Sequence, residues 1–247
     1  MKNPKLKIFC DFDGTLTKND VWVNSLGKFI KDRYKFDSLC NLFNNLQITA
    51  KQCLVRELEL VDNFDFNKFN DYLDKEELDD YAKNFLDYCK ENNFDVFIIS
   101  EGLDYYINYI LKKENIKLKV YCNKLITETG SDGKIIRIKC IFPYSDENCE
   151  WCGMSKRNVL ISNTNDIDNE ISVFIGDGIS DCCIANYADI VFAKKSLASY
   201  CWKNNITYFE YSNFQDVIKK IDKLIKQKNI KQRQISKTNR KDVLLGG

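Results

Sequence analysis

Apolar and polar positions along this chain follow two rhythms. Short apolar runs bounded by polar residues, Leu6 to Cys10, Val96 to Ile99, Ile171 to Ile175 and Ile190 to Ala193, read as buried strands. Stretches with an apolar position every three or four residues predict amphipathic helices over 21–32, 38–46, 49–61, 66–73 and 79–92, with Thr49 placed to cap the third. Further helices are predicted over 104–114 and 155–162, and a third extended region starts at Val120 to Cys122. The run LITETGSDGKIIRIKCIF holds two extended segments around a Gly- and Asp-rich turn at 130–133, a hairpin signal, and a short strand at 208–211 closes the series.

Strands alternating with helices predict an α/β fold, a Rossmann-like parallel sheet with helices on both faces. The helical block at 20–92 is far longer than a crossover needs, so it is expected to be an inserted helical cap. The core is then 1–19 and 93–228, with a hairpin- and cysteine-bearing insert at about 122–153. Residues 229–247 are polar, basic and without aromatics, and are expected to be a disordered tail.

Composition removes several classes of function. Lys plus Arg number 37 against 36 for Asp plus Glu, so no global field draws the chain to nucleic acid or to a membrane. The first apolar run is too short for a signal-peptide core or a membrane span, which sets the expectation of a cytoplasmic protein, monomer or homodimer. Histidine is absent, which excludes histidine bases, Ser-His-Asp triads and histidine metal sites. The eleven cysteines are scattered and several fall in apolar segments, as reduced thiols do. Cys149 and Cys152, with Cys140 upstream, have metal-ligand spacing at one end; reduced thiols packing a loop are the preferred reading.

The remaining chemistry is carboxylate chemistry. Asp11 and Asp13 leave the carboxyl end of the first strand, where open α/β sheets bind ligands. Ser100 and Gly102 end the second strand, and Gly176, Asp177, Gly178, Ser180 and Asp181 end a later one. Converging acids repel one another unless a hard cation sits between them, and oxygen ligands suit Mg2+. Carboxylates, glycine-rich turns, a serine and a lysine together form a receptacle for phosphate. Asp11 could then attack phosphorus, with Asp13 protonating the leaving oxygen and activating water afterwards.

Asp11-Phe12-Asp13-Gly14-Thr15, Ser100, Lys156 and Gly176-Asp177-Gly178-Ile179-Ser180-Asp181 resemble, in order and spacing, the four motifs of the haloacid dehalogenase superfamily of phosphatases. The helical insert is similar to the cap of the phosphoserine phosphatase branch. SEGLDYYI, YCN and GDGISDCCIANYADIVFAKKSLASYC most resemble the methionine-salvage phosphatases that act on 2-hydroxy-3-keto-5-methylthiopentenyl-1-phosphate. The resemblance implies Asp11 as nucleophile and Mg2+ ligand, Asp13 as acid-base and ligand through its carbonyl, and Asp177 as the remaining ligand. It further implies Ser100, the Gly102 amide and Lys156 on phosphate, Thr15 and Asp181 in support, and Asp20 and Arg56 as substrate contacts from the cap. The implied partner is a small-molecule phosphate ester.

Two positions depart from the family: where the phosphoserine branch has an acid of longer reach this chain has Asp20, which weighs against phosphoserine itself, and the second lies in the second motif. Glycine commonly follows the serine of the second motif, whereas here it is Glu101, whose side chain must point away from phosphate or alter specificity. Phosphoethanolamine, phosphocholine and phosphoserine are alternative substrates, and a non-catalytic phosphate-ester binding protein is the alternative from another class. Asp20 is equally placed to be a helix N-cap, and Arg56 to be a solvated helical arginine.

Overall fold

The computed structural model describes residues 5–131, 133–149 and 151–245. The chain divides into two compact units, one formed by 1–16, 78–99 and 156–247, the other by 17–77 and 100–155.

The first unit is built on parallel strands. Its centre is β1 (Leu6–Cys10), which pairs in parallel with β2 (Asp95–Leu103) on one side. On the other side it pairs with the strand at Ile171–Gly176, whose six residues are all buried. The strand at Ile190–Ala193 and the two-residue strand at Phe209–Glu210 extend the parallel ladder beyond that. Burial on both faces explains why these strands read as continuous apolar runs and not as alternating ones. Phe9 pairs with Phe97 and Phe174, and Cys10 pairs with Ile98 and Ile175. The ladder continues for one more bond, the Asp11 N–H donating to the Ile175 carbonyl at 2.9 Å. That bond fixes Asp11 at the lip of the sheet.

Helices of this unit are held by specific contacts. The helix at Ala82–Glu91 packs on the one at Phe214–Lys226, where Phe85 stacks on Phe214 at 4.7 Å and the Tyr88 hydroxyl donates to Asp222 at 2.7 Å. Residues 82–91 therefore belong with the sheet, and the expected cap of 20–92 is corrected at its end. The physical reason is the apolar face centred on Phe85, which is satisfied by the Phe214 helix of the first unit.

The second unit contains short helices and a hairpin. Its helices are α1 (Val21–Asn24), α2 (Arg33–Asn44), α3 (Ala50–Glu59), α4 (Phe66–Leu73) and, after Ala82–Glu91 (α5) in the first unit, α6 (Asp104–Lys113). The expected helix at 21–32 is broken: α1 ends at Ser25, whose backbone leaves helical geometry (φ −117, ψ −81), and a 3-10 turn follows over Leu26–Phe29. Thr49 caps α3 as the sequence indicates, in a reciprocal box with Gln52. Lys113 on α6 closes the end of α4, its ammonium donating to the carbonyls of Leu73, Asp74 and Glu76. The hairpin pairs β3 (Lys119–Thr129) with β4 (Ile135–Ile141), and α3 meets β4, with the Ala50 N–H on the Trp151 carbonyl at 2.9 Å. The hairpin also adds to the far side of β2, in the sheet order β4-β3-β2-β1, so it continues the strands to which the sequence joined it while its outer strand meets α3.

Beyond the helices α7 (Lys156–Ser162), α8 (Lys195–Lys203) and α9 (Phe214–Lys226), the chain forms α10 (Gln234–Leu244). The disordered tail expected at 229–247 is overturned through residue 245; residues 246–247 lie outside the described residues. The reason is one buried side chain. Arg240, 1% exposed, grips Asp166 through Nη2 at 2.6 Å and Nε at 3.1 Å, and reaches Asp189 at 3.2 Å and Ser172 Oγ at 3.2 Å. Ser236 Oγ donates to the Ala188 carbonyl and the Arg233 N–H to Asp189. A polar sequence is ordered here by charge pairing, not by an apolar face. No helix among the described residues is long and apolar enough to cross a membrane.

Removing one partner of a buried, hydrogen-bonded pair leaves the others uncompensated. Arg240→Ala is expected to lower unfolding free energy by about 3–5 kcal/mol in urea titrations, with an exposed lysine, Lys241→Ala, changing it by less than about 0.5 kcal/mol.

Candidate active site

The first motif forms a tight turn directly after β1. Asp13 is extended (φ −70, ψ 118), Gly14 is left-handed (φ 69), and the turn over Phe12–Leu16 carries Thr15 inward, fully buried. A side chain at Gly14 is barred twice: by its φ, and because a Cβ would stand 2.7 Å from Asp177 Oδ2. The glycine lets the two motifs approach that closely.

The strand at Ile171–Gly176 (β5) ends in the second acidic turn, and Asp181 folds back onto it. Asp181 Oδ2 accepts the N–H groups of Asp177 at 3.0 Å and Gly178 at 3.1 Å. Its other oxygen accepts from Lys156 at 2.6 Å. Lys156 opens α7, is fully buried, and donates equally to Asp11 Oδ1 at 2.6 Å. Thr15 Oγ1 donates to Asp177 Oδ1 at 3.4 Å. Of the residues the sequence singled out, the structure brings Asp11, Asp13, Thr15, Lys156, Asp177 and Asp181 to one end of the sheet of the first unit.

Electrostatics of the cluster follow from its stoichiometry, two carboxylates on one buried ammonium. Burial, and then the Asp181 charge, push the Asp11 carboxyl well above the usual range, with Lys156 offsetting only part of this. Burial likewise raises Asp181 against the pull of Lys156. Burial alone would lower Lys156; Asp11 and Asp181 overcome it and hold the ammonium charged. The cluster carries surplus negative charge, and Asp11, Asp177 and Asp181 offer carboxylate oxygens all within 4.8 Å of one another. Asp181 has committed both oxygens to Lys156 and the turn, which leaves Asp11 and Asp177 as the carboxylates able to hold a cation.

Sequence reasoning missed Lys195. It follows the end of the strand at Ile190–Ala193 (β6), has a left-handed backbone (φ 48), and places its ammonium 2.8 Å from Asp177 Oδ2. A lysine two residues past a strand end was the available signal. Among the described contacts, the carboxylates of Asp11, Asp177 and Asp181 meet the ammonium groups of Lys156 and Lys195, a surplus of carboxylate that favours a hard cation.

The other expected residues lie in the second unit. Ser100 is buried near the end of β2, its Oγ accepting the Gly102 N–H at 2.9 Å. Asp20 is an exposed N-cap of α1, accepting the Val23 N–H at 3.1 Å, and Arg56 is exposed on the last turn of α3. The buried charge on α3 is the neighbouring Glu57, which accepts the thiols of Cys40 at 3.4 Å and Cys53 at 3.5 Å; burial pushes its carboxyl up to about 7. The eleven cysteines are free thiols, and Cys149 and Cys152 close a turn with the Cys152 N–H on the Cys149 carbonyl at 3.2 Å.

Comparison with known proteins bears on this arrangement. A family model described as haloacid dehalogenase-like hydrolase matches residues 8–186. A Bacillus cereus (strain B4264) protein named 2-hydroxy-3-keto-5-methylthiopentenyl-1-phosphate phosphatase is 30% identical over 226 residues, covering 90% of this chain and 99% of that protein. A protein of the same name from Bacillus anthracis (strain CDC 684 / NRRL 3495) is 28% identical over 227 residues, with 90% and 99% covered. Among solved structures, a phospho-aspartyl intermediate analogue of phosphoserine phosphatase aligns with a TM-score of 0.67 at 19% identity, over 88% of this chain and 99% of that one. A substrate-bound phosphoserine phosphatase aligns with a TM-score of 0.67 at 18% identity, over 89% and 99%. At those identities the two structures speak for the fold.

Lys156→Met strands two buried carboxylates. Because a carboxyl with a raised folded pKa is better tolerated protonated, the resulting loss of stability is greatest at alkaline pH and shrinks as pH falls toward the carboxyl range. Melting curves are expected to show a deficit of about 3 kcal/mol or more near pH 8, with a clearly smaller one near pH 5.

Proposed function

We propose a specific chemistry from the premise that this chain belongs to the haloacid dehalogenase-like hydrolase family: it is a phosphatase that hydrolyses a small phosphate monoester through an aspartyl-phosphate on Asp11. The observation that carries this reading is the pairing of Asp11 with a fully buried Lys156 at 2.6 Å, beside Asp177 and Asp181 at the end of the parallel sheet.

The surplus of carboxylate and the all-oxygen donor set fit Mg2+, which Asp11, Asp177 and the Asp13 carbonyl would hold. Bound there, Mg2+ supplies charge stabilisation to the phosphoryl oxygens of the transferring group. The remaining work belongs to the protein. The Asp11 carboxylate attacks phosphorus, and its raised basicity makes it a stronger nucleophile once neighbouring cations keep it ionised. Lys156 stays charged throughout the neutral range and neutralises phosphate oxygen. Asp13, two residues on, gives its proton to the leaving alcohol and then takes one from the water that attacks the aspartyl-phosphate. Ser100 Oγ and the Gly102 N–H hold the remaining phosphate oxygens, while Thr15 and Asp181 keep Asp177 and Lys156 in place.

For the substrate, the names of the 30%-identical relatives support 2-hydroxy-3-keto-5-methylthiopentenyl-1-phosphate. A phosphorylated amino acid or amino alcohol is the second reading, favoured by exposed Asp20 and Arg56, which could meet an ammonium and a carboxylate.

Purified protein is expected to release phosphate from p-nitrophenyl phosphate with Mg2+ and to lose this with EDTA. Asp11→Asn should reduce kcat by about 10³-fold or more. No Mg2+-dependent release by wild type, or full activity in Asp11→Asn, would overturn the mechanism. Ranking kcat/KM across methylthiopentenyl, amino-alcohol, amino-acid and sugar phosphates decides the substrate, and a preference for phosphocholine or phosphoserine would displace the first choice.

A further inference from the structure

The side chain that departs from the family pattern has a definite destination. Glu101 lies between Ser100 and Gly102 in β2, where a negative charge beside a phosphate site would cost affinity. Its carboxylate accepts the Met154 N–H through Oε2 at 2.9 Å. Asn123 on β3, fully buried, donates to the Glu101 carbonyl at 2.6 Å and reaches the same Oε2 at 3.4 Å. The backbone and the carboxylate of this one residue are therefore held by a single amide side chain.

The receiving segment is shaped for it. A Cβ at Gly153 would stand 2.8 Å from Glu101 Oε2 and 2.8 Å from the Phe142 ring, so only glycine leaves room for the carboxylate to reach the next amide. One residue further, the Ser155 N–H donates to the Tyr144 carbonyl at 2.8 Å. The chain is thus pinned at Met154 and Ser155, immediately before Lys156 in sequence.

We infer that Glu101 is a positioning residue: its carboxylate, clamped on the Met154 N–H and braced by Asn123, aims the Ser100–Gly102 end of β2 and fixes the segment that leads into Lys156. This rests on the reading that Ser100, Gly102 and Lys156 hold phosphate. The charge is met at Oε2 by one backbone N–H of the loop, that of Met154, and by the Asn123 side-chain amide of β3.

The test compares Glu101→Gly, which removes the anchor, with Glu101→Gln, which keeps an acceptor oxygen at the same reach. With p-nitrophenyl phosphate as substrate and inorganic phosphate as competitive inhibitor, Glu101→Gly is expected to raise KM and Ki by about tenfold with a smaller change in kcat. Glu101→Gln should stay within about threefold of wild type. Gly153→Ala, with Glu101 intact, should reproduce the glycine variant by displacing the carboxylate. Hydrogen exchange at the Met154 amide should quicken in Glu101→Gly and Gly153→Ala but not in Glu101→Gln, whatever the activity. An unchanged Ki in Glu101→Gly, with wild type active, overturns the positioning role alone. A lower Ki in both Glu101 variants overturns it in favour of a carboxylate that faces the phosphate. A wild type that neither hydrolyses the ester nor binds inorganic phosphate removes the phosphatase reading, and the positioning role with it.

Discussion

Holding the carboxylates of Asp11, Asp177 and Asp181 together at one end of a sheet is the constraint on which the catalytic unit depends. Like charges at contact distance are tolerated only where something positive is shared among them, and within the protein that is Lys156, wholly buried between Asp11 and Asp181. The surrounding details serve this distribution. Asp181 turns its second oxygen onto backbone amides, Thr15 donates to Asp177, and Lys195 reaches the same carboxylate from the end of another strand. The negative charge left over is what the proposed cation would answer.

The parts of the site that the sequence made legible are those whose geometry is local. Asp11 and Asp13 follow a buried strand, and the position of their side chains is set by the strand's last ladder bond and the turn after it. Asp177 and Asp181 form a turn that bonds to itself over four residues. Lys195 was not legible, because its reach depends on a left-handed backbone position that no lysine signals. Nor was the terminal helix. Its composition reads as a solvated end, and its partners Asp166 and Asp189 lie 74 and 51 residues earlier, so only the folded pairing reveals that Arg240 belongs inside.

The second unit shows the same division. The N-cap at Thr49 and the helix at 66–73 follow from spacing alone. On α3, however, adjacent residues differ by about 100° around the axis, so Arg56 and Glu57 have opposite fates within one step. The arginine faces solvent, while the glutamate sits beneath two thiols with a carboxyl poised between charged and neutral near pH 7. An unpatterned charge in a short helix does not disclose which of two neighbours is covered.

The segmentation of the catalytic unit also sets the order in which it can be made. Leu6 of the central strand pairs with Ile171, and the helix that locks the far side of that sheet ends at Leu244. During synthesis, Asp11 leaves the ribosome well before one neighbour of its strand, Ile171–Gly176, and before Arg240. The helical unit can complete itself in the meantime. Assembly of the acidic cluster is therefore a late event, in which a waiting strand is closed by distant partners. Pairing at such separation is the kind that slows folding and leaves apolar edges exposed until those partners dock.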